Sequence, residues 1–93
     1  MDDAVVVNVP EASRYELRLD GRLIGQADYR RNGDTIEFTH TEVDASLNGR
    51  GFGSRLVAAA LDDAREQGLT VVPLCSFVAH YIDAHPEYEA LAR

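Results

Sequence analysis

The chain reads as an α+β domain, an antiparallel β-meander followed by a helix–strand–helix unit, and three observations predict it. Apolar and polar residues alternate through much of the first half, most cleanly over Arg14–Leu19. Asp20-Gly21 and Asn32-Gly33 divide that half at hairpin signals. Past Val43 the apolar spacing changes from two to about four, behind a cluster of glycines. Strands first and a strand–helix–strand unit last is an α+β order.

The elements follow in sequence. Val5–Val9 is a β-branched run that stops at Pro10 and reads as a strand. In Arg14–Leu19, Tyr15, Leu17 and Leu19 face one way and Arg14, Glu16 and Arg18 the other. Arg22–Arg30 continues as a strand with Gly25, Ala27 and Tyr29 on one face. Thr35–Val43 is the third strand of the meander, with Ile36, Phe38 and His40 on one face and Glu37, Thr39 and Thr41 opposite. After the polar turn Asp44–Asn48 and the glycine cluster, Phe52, Leu56, Ala60 and Ala64 repeat at helical spacing, and Val57 and Leu61 widen the stripe. Gly68 stops that helix as a C′ glycine would. Leu69–Leu74 reads as a short strand buried on both faces, parallel to Thr35–Val43 through a right-handed crossover. Pro73 interrupts the ladder there, so these strands are expected to splay toward their C-terminal ends. Ser76 is expected to cap a second helix carrying Phe77 with Tyr81 and Val78 with Ile82, ended by Pro86. Glu87–Arg93 is a short tail with room for another helical turn.

With 93 residues the chain makes one domain, 1–93, able to bury a modest core. Hydrophobic content of 45% beside 27% charge is that of a folded globule. A net charge of −7 argues against a nucleic-acid binder, which needs a basic face, and suits a cationic partner such as an amine. A single cysteine excludes an internal disulfide framework and points to a reducing compartment. No apolar run approaches the roughly 20 residues of a spanning helix, and the acidic start Met1-Asp2-Asp3 lacks the features of a signal peptide, so no membrane is expected and the expected location is cytoplasmic. All nine basic residues are Arg, which removes any Lys-dependent chemistry.

A glycine-rich turn between a strand and a helix suggests a phosphate site, because unobstructed amides and the helix dipole meet there. A nucleotide P-loop requires Lys followed by Ser or Thr after its last glycine, whereas Gly53 is followed by Ser54-Arg55. A dinucleotide fingerprint requires G-x-G-x-x-G and a later acid; here the third glycine comes one place early and Leu69–Leu74 ends without an acid. The remaining ligand reading uses adjacent amides of the first helical turn to hold a diphosphate.

Asn48-Gly49-Arg50-Gly51-Phe52-Gly53 resembles the coenzyme A loop of GCN5-related N-acetyltransferases, Gln/Arg-x-x-Gly-x-Gly/Ala, with Asn48 standing where Gln or Arg is usual. The resemblance runs from about Arg14 to Tyr88 and is closest to a short, stand-alone branch, through His40-Thr41-Glu42-Val43, Val72-Pro73-Leu74-Cys75 and His85-Pro86-Glu87-Tyr88. It implies a GNAT-like fold, acetyl-CoA as co-substrate, and coenzyme A held by Val43, by the loop Asn48, Gly49, Arg50, Gly51, Phe52 and Gly53, and by the amides of Gly51, Gly53 and Ser54. The pantetheine arm would lie in the gap between the splayed strands. Between Val9 and Arg14 there is no room for the helices that help form an acceptor pocket in the larger enzymes, so the acceptor side is expected to be open, and the amine-bearing acceptor could be a protein.

Acetyl transfer needs a deprotonated amine, a polarised thioester and a proton for the departing thiolate. Tyr81 matches the family's general-acid tyrosine in position, though a tyrosine there also packs with Phe77. Cys75, between an apolar run and a helix N-terminus, is a candidate acetyl carrier or simply a small buried hydrophobe. His40 and Glu42, sharing one face of the strand expected to border Cys75, are candidate bases. His80 and His85 are five apart, unsuited to zinc, and no metal site is expected. An acetyltransferase is thus the first expectation, a coenzyme A-binding regulatory or partner module without turnover the second, and a ligand-free structural domain the third.

Overall fold

A computed structural model of the protein describes residues 4–92; the Met1-Asp2-Asp3 start and Arg93 lie outside the described residues. Strands β1 (Ala4–Val9), β2 (Arg14–Leu19), β3 (Arg22–Asn32) and β4 (Thr35–Val43) are followed by helix α1 (Phe52–Glu66), strand β5 (Thr70–Pro73) and helix α2 (Ser76–Ala84). Short 3-10 segments span Pro10–Ala12, Ala45–Leu47 and Pro86–Ala92. One sheet runs in the order β1-β2-β3-β4-β5. Its first three pairs are antiparallel and β4 pairs β5 in parallel.

The turns carry the expected chemistry. Asp20 and Gly21 both have positive φ, 51° and 82°, as a two-residue hairpin turn of matching twist requires. At the second hairpin β3 runs two residues past the expected Arg30, to Asn32, and Gly33 takes the first turn position. α1 ends in a Schellman motif: Gly68, at φ 72°, donates its N–H to the Arg65 carbonyl, and Leu69 donates to Ala64.

Both helices lie on one face of the sheet. Phe52, Leu56, Val57, Ala60, Leu61 and Ala64 are buried along α1, the stripe expected from the sequence. They pack with Tyr15, Leu17, Ala27, Ile36, Phe38 and Val71 of the sheet and with Val78 and Ile82 of α2. The Tyr15 hydroxyl donates to Asp63 of α1 at 2.6 Å, and Tyr88 in the last 3-10 segment donates to Asp62 at 2.7 Å. Among the described residues no helix covers the opposite sheet face. There Glu16 is the one buried charged side chain among the described residues, 4% exposed between Arg14 and Arg18 of its own strand. Their hydrogen bonds, Arg18's first, hold its carboxyl below the ordinary range.

Four expectations are corrected. β5 is the sheet's outer strand and is not buried on both faces: Val71 is buried, while Leu74, past its end, is 57% exposed. Cys75, not Ser76, is the N-cap residue of α2, and its side chain makes no capping bond. The buried stripe of α2 is Val78 with Ile82, whereas Phe77 is exposed. The alternation along β4 breaks at a bulge: Asp28 pairs with His40 but Tyr29 with Phe38, leaving Thr39 as the extra residue. Past it, Thr41 and Val43 stand opposite Ala27 and Gly25 on the helix-covered face, and His40 and Glu42 turn to the uncovered one.

Among the described residues no helix is long and apolar enough to cross a membrane.

Candidate functional site

The site begins where the parallel ladder ends. β4 and β5 are paired from Thr35↔Thr70 to Phe38↔Pro73, and one last bond runs from the Cys75 N–H to the Phe38 carbonyl at 2.9 Å. β4 continues to Val43 without a β5 partner, because β5 ends at Pro73.

β4 leads into the loop through Asp44, whose carboxylate accepts from the Ser46 N–H at 3.0 Å and the Ser46 hydroxyl at 2.8 Å. Those bonds fasten the turn and hold the Asp44 carboxyl below its ordinary value. Gly49 and Gly51 adopt φ 84° and 78°, a region that side chains with a Cβ rarely enter. Gly51 is the N-cap of α1 and supplies no side-chain cap. The first intrahelical bond is donated by Arg55 to the Gly51 carbonyl, so the amides of Phe52, Gly53 and Ser54 have no acceptor within the helix. The Phe52 ring is buried beneath them, with the Arg50 guanidinium 5.1 Å and that of Arg55 5.7 Å from its centroid.

A cavity of about 340 Å³ opens over these amides. The loop lines it with Asn48, Gly49, Gly51, Phe52, Gly53 and Ser54, the unpaired half of β4 with Thr41 and Val43, and Leu47 and Phe77 close its sides. Of the expected loop and strand residues only Arg50 is absent from this lining. Among the described residues no carboxylate lines the cavity. Amide donors at a helix N-terminus without a competing negative charge form an anion site.

The expected catalytic residues are not gathered in one place. Cys75 is 9% exposed, and its thiol donates to the Thr41 hydroxyl at 3.3 Å. Burial, the largest influence on this thiol, opposes ionisation; the Thr41 hydroxyl and the amides of Val78 and Phe77 outweigh it together and hold the thiol below its ordinary pKa. His40 does not border Cys75. It pairs with Glu42 at 3.1 Å on the uncovered face, both side chains well exposed. Tyr81 lines a neighbouring pocket with Ser54, Phe77, His80, Ala84 and His85. Its ring is stacked on His85 at 3.9 Å, and burial, followed by the carboxylates of Glu87 and Asp62, raises its hydroxyl pKa.

Two residues of the site escaped the sequence reading. Simple alternation puts Thr41 on the face away from Cys75, because the bulge at Thr39 leaves no mark in it. Helical spacing puts Phe77 on a packing stripe with Tyr81, yet a Cβ at Gly53 would stand 2.7 Å from its ring. A glycine beyond those that the turn needs was the available signal.

A family model for GCN5-related N-acetyl-transferases matches residues 14–91. The structure is similar to that of a GCN5-like protein from Staphylococcus aureus solved by NMR, with a TM-score of 0.73 and 24% identity over 98% of this chain and 89% of that one. It is similar to the ribosomal-protein-S18-alanine N-acetyltransferase of Escherichia coli, with a TM-score of 0.63 and 14% identity over 99% of this chain and 77% of that one. At these identities both likenesses speak for the fold alone. An N-acetylglutamate synthase from Neisseria gonorrhoeae, solved with coenzyme A and N-acetyl-glutamate, matches with a TM-score of 0.56 and 25% identity over 73% of this chain and 18% of that one. With the fold shared and the family model spanning most of the sequence, the chain belongs to the GCN5-related N-acetyltransferase family.

Proposed function

We propose that the protein is an acetyl-CoA-dependent N-acetyltransferase that carries the acetyl group on Cys75 before passing it to an amine. The observation that carries this reading is the cavity, lined by no carboxylate among the described residues, that runs from the first-turn amides of α1 to Thr41, along the edge of β4 that β5 leaves unpaired. The diphosphate of acetyl-CoA sits on the amides of Gly53 and Ser54, and the pantetheine amides bond to the open backbone from Val43 toward Thr41. That course brings the thioester to Cys75, whose thiol touches Thr41.

In the first step the Cys75 sulfur attacks the thioester carbonyl. The bond from carbon to the coenzyme A sulfur breaks, and the departing thiolate takes up the proton that Cys75 gave up, by way of the Thr41 hydroxyl. In the second step the amine nitrogen attacks the acetyl-cysteine, the carbon–sulfur bond to Cys75 breaks, and the amide product leaves. The proton released by the amine passes to the departing Cys75 thiolate by way of the Thr41 hydroxyl, which restores the thiol. Family membership and the solved relative that holds coenzyme A support the choice of acyl donor.

A second reading, a coenzyme A-binding module without turnover, is favoured by one observation: Tyr81 lies in another pocket and His40 with Glu42 on another face, so Cys75 alone of the four candidates stands beside the cavity wall.

A thermal melt with acetyl-CoA tests what both readings share. At about 100 times its dissociation constant the ligand stabilises the fold by about 2.7 kcal/mol, a rise of roughly 10 °C or more in a domain of this size. Gly51→Glu, which puts a side chain and a negative charge among the amides, is expected to abolish the rise. A wild-type melt unmoved by saturating acetyl-CoA would refute both.

A further inference from the structure

We propose that the outer edge of β1 is a self-association surface, on which a second copy of this chain adds its own β1 antiparallel and joins two five-stranded sheets into one of ten. The dimer is independent of the ligand reading above, since no residue of β1 lines the cavity over the α1 amides.

The two edges of the sheet are finished differently. β5 has four residues and ends at Pro73, which has no N–H to give, and the Pro86–Ala92 segment lies against it. β1 has six, Ala4-Val5-Val6-Val7-Asn8-Val9, with no charge, no proline and no bulge against β2. Charge, proline and bulges are the devices that keep an edge strand from pairing with another chain. Alternate residues of an edge strand turn their N–H and C=O away from their neighbour, and among the described residues no strand pairs with that side of β1. The Ala4 carbonyl accepts from Arg55 at 3.4 Å, so the stretch offered to a partner strand is 5–9.

The strand is fixed from its covered side. Ala4 and Val6 pack against the core, and the Asn8 side chain accepts from the Tyr29 hydroxyl at 2.7 Å. Val5 and Val7, opposite Arg18 and Glu16, stand on the uncovered face and are 57% and 41% exposed. Backbone groups at ladder spacing are satisfied by an extended chain, and charge selects which one. Two copies of a chain with a net charge of −7 repel over much of their surface, but along β1 no like charges meet. A cationic partner, by contrast, finds no carboxylate on this strand. A two-fold axis near Val6 sets Val5 and Val7 of one copy beside those of the other and closes the assembly at two. One strand from each copy makes a small interface, so the dimer forms as protein concentration rises.

The test is sedimentation velocity of the full chain over a dilution series. It compares the wild type, the double variants Val5→Lys with Val7→Lys and Val5→Glu with Val7→Glu, and an equal mixture of the two variants. Wild type is expected to pass from one to two chain masses with concentration. Each variant alone is expected to associate about tenfold or more weakly, because like charges meet across the axis. Its circular dichroism is expected to match wild type, since both side chains are exposed. The mixture is expected to recover the dimer, which a misfolded variant cannot do. A wild type that stays monomeric would overturn the proposal and leave the edge to a strand of another protein, and growth beyond two chains would overturn it as well. Variants that associate like wild type would place the contact elsewhere, and a monomeric mixture would show that the two valine pairs do not meet.

Discussion

The two halves of β4 differ in pairing and in burial. From Thr35 to Phe38 the strand is paired on both sides, with Ile36 and Phe38 fully enclosed against α1 and α2. From Thr39 to Val43 it keeps only its β3 partner, and its covered face carries a half-buried threonine and valine. The change falls at one place, where Thr39 bulges and Pro73 ends the parallel ladder. A closed strand contributes stability, while an open one leaves backbone groups for a ligand to satisfy.

The largest expected effect breaks the closed half. Phe38→Ala empties the centre of the core and is expected to cost about 3–5 kcal/mol in a urea melt, a large part of what a domain of this size possesses. A loss below 1 kcal/mol would mean that the core is not centred there. Next in size is Cys75→Ser in the open half. Incubation with acetyl-CoA and no acceptor is expected to add one acetyl group to the intact mass of the wild type and none to the variant, with the melt little changed. Transfer that survives in the variant would show that the amine attacks acetyl-CoA directly.

Thr41→Val sharpens the contrast by altering one hydroxyl. Its removal takes away an interaction that holds the Cys75 thiol below its ordinary pKa, so the pH midpoint for alkylation of Cys75 is expected to rise. A depressed thiol pKa favours the fold above the ordinary thiol value, and that contribution is lost as pH falls through the depressed one. Thr41→Val is therefore expected to lower stability at alkaline pH and to leave it nearly unchanged at pH 6. A midpoint that does not move would separate Thr41 from the thiol's ionisation. The smallest effect is expected of Tyr81→Phe, which keeps the ring stacked on His85 and leaves turnover within a few-fold of wild type. A loss of about 10²-fold with unchanged coenzyme A affinity would restore its role as the general acid.

Local physics was enough for much of this molecule. The positive-φ turn at Asp20-Gly21, the α1 stripe and the Gly68 cap each depend on residues a few positions apart, and each was legible in the amino-acid order. The phosphate-type loop was legible for the same reason, since Gly51 and the orphan amides after it are neighbours in the chain. The family followed from that loop and its flanks. Tertiary structure decided which side chains meet. The bulge at Thr39 is defined only against β3, and it reverses the facing of Thr41 and His40 relative to simple alternation. Burial of Glu16 rests on Arg14 and Arg18 closing over it from the same strand, which polar periodicity does not distinguish from an exposed face. The contact of Cys75 with Thr41 spans 34 positions, and Phe77 covers Gly53 from another helix. Turns and caps are settled by torsions within a few residues, whereas the partners of a thiol or an exposed ring are settled by where strands end and helices dock.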